Sequence, residues 1–306
     1  MSDPQTQLQS RNRYVDPAGP GTHVVGNAER SDDEGTTRTA WGKALTVPAE
    51  SVRTLHLRPT AAQAKGAKLP AYVDAMASLH FLAVPYMFLP GLKGSAVLQR
   101  ITTLQLAYAM EMTEAYDPRK YAWPDEVPPG LLGLRVVGSE ASQAVPWANL
   151  GLTADRAPSL EFLGCDVGKS PALLELMGSF PKLRHVELYL LGDSDVFGHL
   201  PEGLEYAFIN STGPRFAFAH IARLRALKGL FYLWARNEVD CEALAALPEL
   251  SELKLHSCKK IRGVEALLAS KSLRSVEVVN CGRPFSKPVA QRFEARGFDH
   301  LNIGFA

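Results

Sequence analysis

The sequence predicts an α/β solenoid: a curved parallel sheet of about eleven short strands, helices or irregular segments on its convex side, and an N-terminal β cap. Three observations carry this. An apolar-x-x-apolar-x-apolar pattern recurs along the chain, as in Leu250-x-x-Leu253-x-Leu255 and Leu273-x-x-Val276-x-Val278. Its central apolar-x-apolar pair keeps phase. Taking the first residue of each pair as a marker gives positions 55, 79, 104, 134, 160, 186, 204, 230, 253, 276 and 301, and eight of the ten steps are 23 to 26 residues. Several segments between markers have helix-forming composition and apolar spacings of three and four. In a short strand successive side chains point to opposite faces, so the marker and the residue two later enter the core while their neighbours face outward.

Taken in order, residues 1–20 are polar, carry no apolar period and are expected to be disordered. Residues 21–50 hold two short apolar runs, THVVG (22–26) and WGKALTVP (41–48), around the polar turn ERSDDEGTTRT (29–39). They read as a strand pair capping the first repeat, because an open sheet edge invites pairing with other chains. The repeats are expected to fill residues 51–306. They begin with Val52-x-x-Leu55-x-Leu57, Met76-x-x-Leu79-x-Phe81, Ile101-x-x-Leu104-x-Leu106 and Leu131-x-x-Leu134-x-Val136. Leu160-x-Phe162-x-x-Cys165 and Leu204-x-Tyr206-x-x-Ile209 are weaker copies, flanking and following Leu183-x-x-Val186-x-Leu188. Leu227-x-x-Leu230-x-Tyr232 leads into the clear copies, and Phe298-x-x-Leu301-x-Ile303 closes the series. Return helices are expected within 170–180, 215–227, 241–250, 264–270 and 287–297. Two steps break the phase. One of 30 residues contains the proline-, charge- and aromatic-rich insertion EMTEAYDPRKYAWPDEVPPG (111–130), and one of 18 leaves room only for the tight loop GDSDVFGHLPEG (192–203). The last strand, HLNIGFA, is expected to leave some edge backbone open as a contact for a partner chain.

A period of this length with this motif resembles the leucine-rich repeat superfamily, in an irregular, bacterial-type, cysteine-containing form, over about residues 52–306; such repeats run roughly 20–29 residues. The resemblance implies the solenoid fold and is nearly silent about activity. For a compact chain of this kind it implies an immunity or inhibitor protein, or an adaptor. It also implies that Cys165, Cys258 and Cys281, each five residues after a marker, fill one inward structural position; a small buried thiol suits that place.

Composition excludes several classes. The net charge is +1, so the bulk charge recommends neither nucleic acid nor an anionic membrane. The N-terminus has no apolar signal region, and the most apolar stretch, 77–92, is interrupted by His80, Pro85 and Pro90. The four cysteines form no CxxC pair, and a reducing cytoplasm is the expected compartment. No phosphate loop or GxSxG elbow occurs, and the eight histidines form no HExxH helical pair. His56 and His80 would be brought together on neighbouring strands, but without a visible carboxylate ligand. His256 and Cys258 lie on opposite faces and share no ligand. The expectation is no enzyme, no cofactor and no metal.

The informative surface is the concave sheet face. With these markers, Glu161, Glu187 and Glu205 stack in one row, and like charges directly opposite cost up to ~1 kcal/mol per pair. A basic protein would offset that cost. Tyr189, Phe231 and Leu233 face outward beside the row, while Leu190, Phe208 and Trp234 sit four after their markers, where the chain leaves the strand. The reading is a protein-binding face made by Glu161, Glu187, Glu205, Tyr189, Phe208, Phe231 and Trp234 for a basic protein partner. The alternative is a substrate-recognition or structural subunit of an enzyme complex.

Overall fold

The computed structural model describes residues 20–26, 35–64, 68–107, 127–137, 152–167, 171–282 and 284–304. The expected tail, most of the 111–130 insertion and the end of HLNIGFA lie outside them. The chain divides into two compact units, residues 3–164 and 165–306.

In the first unit β1 (Thr22–Gly26) lies between β2 (Thr37–Thr39) and β3 (Thr54–Arg58), and all pairings are parallel. β4 (Phe81–Pro85), β5 (Thr103–Ala107) and β6 (Gly133–Val137) follow side by side. THVVG is a strand, but WGKALTVP is not: Gly42 turns at φ 77°, and the Trp41 ring packs on Phe88 at 5.8 Å. The second strand is instead Thr37–Thr39, inside the stretch read as a polar turn. Its hydroxyls face a histidine rather than a core: His23, fully buried, bonds Thr37 Oγ1 at 2.7 Å and Thr39 Oγ1 at 2.9 Å. Polarity hid the strand because its partner is also polar.

β7 (Phe162–Asp166) begins at the end of the first unit, with the Phe162 amide donating to the Leu132 carbonyl at 2.9 Å. In the second unit β8 (His185–Tyr189), β9 (Tyr206–Asn210) and β10 (Gly229–Leu233) run parallel in order. After β11 (Glu238–Asp240), β12 (Glu252–His256) joins β10. After β13 (Lys260–Arg262), β14 (Ser275–Val279) joins β12, and β15 (His300–Ile303) pairs with β14 as the edge strand. β11 and β13 pair only with each other, a small second sheet among the return segments that no apolar period announced.

Three return segments fold as α-helix where expected: Pro171–Ser179, Cys241–Ala245 and Lys287–Arg296. Phe218–Arg223 and Val264–Ala269 are instead 3₁₀ turns, the tighter form that short return segments often take. The core is built by the marker and the residue two later, for example Val186 and Leu188, Leu230 and Tyr232, and Leu253 and Leu255, all at most 3% exposed. Tyr232 is tolerated there because its hydroxyl donates to Asn237 Oδ1 at 2.8 Å, which also accepts from Thr212 Oγ1 at 2.6 Å.

Candidate functional site

Strand pairing fixes which residues share a row. Val186 is level with Ala207, Ala207 with Leu230, Leu230 with Leu253, and Leu253 with Val276. The marker of β9 is therefore Ala207, three residues after Leu204, and the short step from Val186 becomes 21 residues. That leaves room for the helical turn Val196–His199, capped by Asp195. The same three-residue slip applies to β4, where Leu82 is level with Leu55 and Leu104. It applies again to β7, whose strand begins at Phe162. The cause is physical. The leucine three before each marker, such as Leu160, Leu183, Leu204, Leu227 and Leu250, is at most 2% exposed and as buried as the marker itself. Two overlapping apolar patterns, three residues apart, then compete for the strand.

A parallel in-register sheet with an apolar residue at this place in each repeat, most often leucine, decides the architecture. The fold is a leucine-rich repeat solenoid.

The corrected register dissolves the glutamate row. Glu187 faces Phe208, followed by Phe231, Lys254, Glu277 and Asn302. Glu161 and Glu205 fall before their strands, where their amides donate to Leu132 and Arg184 carbonyls at 2.7 Å. The Glu205 carboxylate is held by Arg184 at 2.7 Å and Lys228 at 3.0 Å. Partial burial would raise its pKa, but the two cations hold it below the ordinary carboxylate value. Glu187 is only 2% exposed.

What the repeat register does assemble is an aromatic band on the open face of the second unit's sheet. Tyr189 and Phe208 have ring centroids 5.3 Å apart, and Phe208 and Phe231 stack at 6.5 Å. Lys254 Nζ lies 5.0 Å from the Phe231 centroid and 3.4 Å from Glu277 Oε2. Phe208, expected at the strand exit, thus stands in the middle of the band.

Leu190 and Trp234 occupy the strand exit. Every repeat from β8 to β14 places one residue there in the left-handed region: Leu190, Ser211, Trp234, Ser257 and Asn280, with φ from 52° to 62°. The conformation turns that residue's amide toward the next strand, as in Trp234 N to His256 O at 2.9 Å and Ser257 N to Val279 O at 3.0 Å. Among the described residues, Leu190 at 42% and Trp234 at 55% are the exposed large hydrophobic side chains.

One row further along the strands, Gly229 interrupts the side chains. A Cβ there would lie 2.7 Å from Tyr206 Cδ1, so the Tyr206 ring lies across the bare backbone, with the edge of His185 against it at 4.8 Å. From the other side Glu252 Oε2 comes within 3.8 Å of the same point. Burial pushes the Glu252 carboxyl up to about 7; Glu277 adds to this and Lys254 opposes it. Sequence reading missed both Tyr206 and Glu252; the glycine at 229, at an outward position one before its marker, was the available signal.

The thiols are scaffold in position. Cys258 and Cys281 do lie five after their markers, and the Cys258 amide donates to Cys281 Sγ at 3.3 Å while Cys281 Sγ reaches Val279 O at 3.2 Å. Cys165 does not share that position; it belongs to the strand core of β7. All four cysteines are free and buried, and burial raises the Cys165 thiol and pushes Cys241 up to about 12. His56 is 3% exposed and packs on Phe81 at 5.4 Å, whereas His80 precedes β4, so the two histidines are not neighbours in a row. Among the described residues no group of three candidate metal ligands forms, and no helix is long and apolar enough to cross a membrane.

No protein-family model matches the chain, and no characterised protein matches it in sequence. The solved structures to which it is similar include three leucine-rich repeat proteins. With the structure titled as the TLR13–ssRNA13 complex it shares 13% identity at a TM-score of 0.44, covering 81% of this chain and 40% of that one. With LegL7 from Legionella pneumophila the values are 14% and 0.38, covering 81% and 82%. With the leucine-rich repeat domain of the type III effector XCV3220 (XopL) they are 16% and 0.33, covering 70% and 65%. The fold assignment rests on the register above.

Proposed function

We propose that the open sheet face of residues 165–306 docks another protein, and that the chain acts by occupying its partner, as an inhibitor, immunity protein or adaptor, rather than by catalysis. One observation carries the reading. Trp234, the most exposed large hydrophobic side chain among the described residues, stands at a left-handed position on the strand of Phe231, where three of the four sister repeats use serine or asparagine and the fourth a leucine. Nothing in folding requires an indole there. Aromatic anchors next to charged groups are the usual centre of a protein interface. The partner expected is basic where it meets Glu252 and apolar where it meets Phe231 and Trp234.

The test uses the full chain as bait, with the double variant Phe231→Ala/Trp234→Asn as control. A partner that is lost from the variant is identified, purified and titrated calorimetrically. Loss of roughly a hundred-fold in affinity is expected from removing two aromatic anchors. Affinity within about three-fold of wild type would place the docking surface elsewhere.

A further inference from the structure

The docking reading leaves one polar feature of the same face unexplained. Glu252 is an outward residue of β12, half-buried, and no described side chain ion-pairs or hydrogen-bonds its carboxylate. Its strand neighbour Lys254 turns instead to the Phe231 ring and to Glu277. On the other side, the cation nearest to Tyr206, Lys228, is engaged by Glu205 at 3.0 Å. His300, beyond Glu277, approaches that carboxylate at 3.8 Å. The charged groups facing Glu252 from β9, from the approach to β10, from its own strand and from β14 are therefore each committed to another partner, and its own charge stays uncompensated.

Next to that carboxylate lies a place for a ligand. Gly229 contributes no side chain, and Tyr206 and Glu252 approach the same point above it from the two flanking strands. The two strands are not neighbours, yet across the bare backbone the Tyr206 ring and the Glu252 carboxylate come within about 6.5 Å of each other and form a narrow slot on the outward face. A guanidinium suits that slot better than an ammonium. It is planar, weakly hydrated, stacks on aromatic rings and presents paired N–H donors to a carboxylate.

Resting on the docking reading, we propose that the slot over Gly229 is an arginine subsite, in which the guanidinium of a partner's arginine stacks on Tyr206 and donates hydrogen bonds to the Glu252 carboxylate. The site is a carboxylate acceptor only when ionised. Because burial holds the free carboxyl near 7, arginine binding is expected to strengthen as pH rises through neutrality.

The experiment needs no partner. The full chain, labelled with ¹³C at glutamate carboxyls, is titrated with N-acetyl-arginine amide, and the Glu252 resonance is assigned by Glu252→Gln. Saturable binding at about pH 8 is expected, weakening at least five-fold at about pH 5.5, where a carboxyl of raised pKa is protonated. Glu252→Gln should cost at least roughly ten-fold at the higher pH, and Tyr206→Leu a smaller but measurable factor. Equal binding of the neutral isostere N-acetyl-citrulline amide, tighter binding of N-acetyl-lysine amide, or no effect of Glu252→Gln would each overturn the arginine assignment. Circular dichroism and thermal melting of both variants establish that they fold. If the probe fails while Trp234-dependent capture of a protein holds, the subsite falls and the docking face stands; the converse result separates them the other way.

Discussion

Trp234 shows how a single residue can be at odds with its own backbone. A side chain with a Cβ in the left-handed region costs about 1 kcal/mol relative to residues suited to it, and asparagine is among the least penalised. The fold uses that conformation in five repeats, at Ser211, Trp234 and Ser257 with the amide donating to the neighbouring strand, and Ser211, Ser257 and Asn280 show that small polar side chains suffice. Trp234→Asn is therefore expected to raise stability by about 0.5–1 kcal/mol, a small upward shift in melting temperature by scanning calorimetry. A lower melting temperature would mean that the indole packs as scaffold, and would remove the argument that it is kept for a partner.

At the scale of the element, the first strands are held by polar contacts as much as by apolar ones. His23 lies in β1 between two threonine hydroxyls of β2, and burial lowers its pKa from 6.5. The folded cap thus binds a proton less readily than the unfolded chain. Its contribution is complete above the ordinary histidine value and is lost as pH falls below it. Amide exchange of residues 22–26 should accelerate selectively between about pH 6.5 and pH 5, after correction for intrinsic rates. Exchange that follows the intrinsic rate alone would show that His23 is not a determinant of the cap. The same element explains what sequence reading overlooked. A strand whose outward and inward groups are both polar carries no apolar alternation, so Thr37–Thr39 was invisible, while THVVG beside it was plain.

For the whole molecule, two groups act in opposite directions on stability over one pH window, about 4.5 to 7. His23 weakens the folded state as pH falls through that window. Glu252 weakens it as pH rises. Its carboxyl, raised from 4.5 to about 7, makes the folded chain hold a proton more tightly than the unfolded one, a contribution fully present below 4.5 and lost as pH rises through about 7. Glu252→Gln should remove from a urea-denaturation profile the fall in stability between about pH 4.5 and pH 7 and leave the slope at higher pH unchanged. An unaltered profile would mean that Glu252 ionises without cost, and that its setting is more open than the packing indicates.

The repeat, the number of repeat strands and their parallel arrangement were legible in sequence because period and burial agree in most repeats. Phase was harder. A leucine three before the marker is buried as deeply as the marker, and where the following residues were small, as at Ala207, or included a thiol, as at Cys165, the earlier pair was the more apolar of the two. That slip moved Glu161 and Glu205 onto a row they do not occupy and kept Phe208 out of the band it centres. Tyr189, Phe231 and Trp234 survived because their repeats carry large apolar residues at every inward place. The arginine slot was not legible, since it depends on an absent side chain at Gly229 bringing together residues 46 positions apart in sequence, Tyr206 and Glu252.

The row of left-handed residues also bears on how such a chain can change. At Ser211, Trp234 and Ser257 the sheet is served by the main-chain amide, so the side chain there can vary without disturbing the hydrogen-bond ladder. Leu190, Ser211, Trp234, Ser257 and Asn280 are one such position per repeat, exposed at Leu190, Trp234 and Asn280 and half-buried at the two serines, set at the interval of the strands. A lineage could exchange one target for another by substitutions along this rim alone, at a cost to folding set by each residue's tolerance of one backbone conformation.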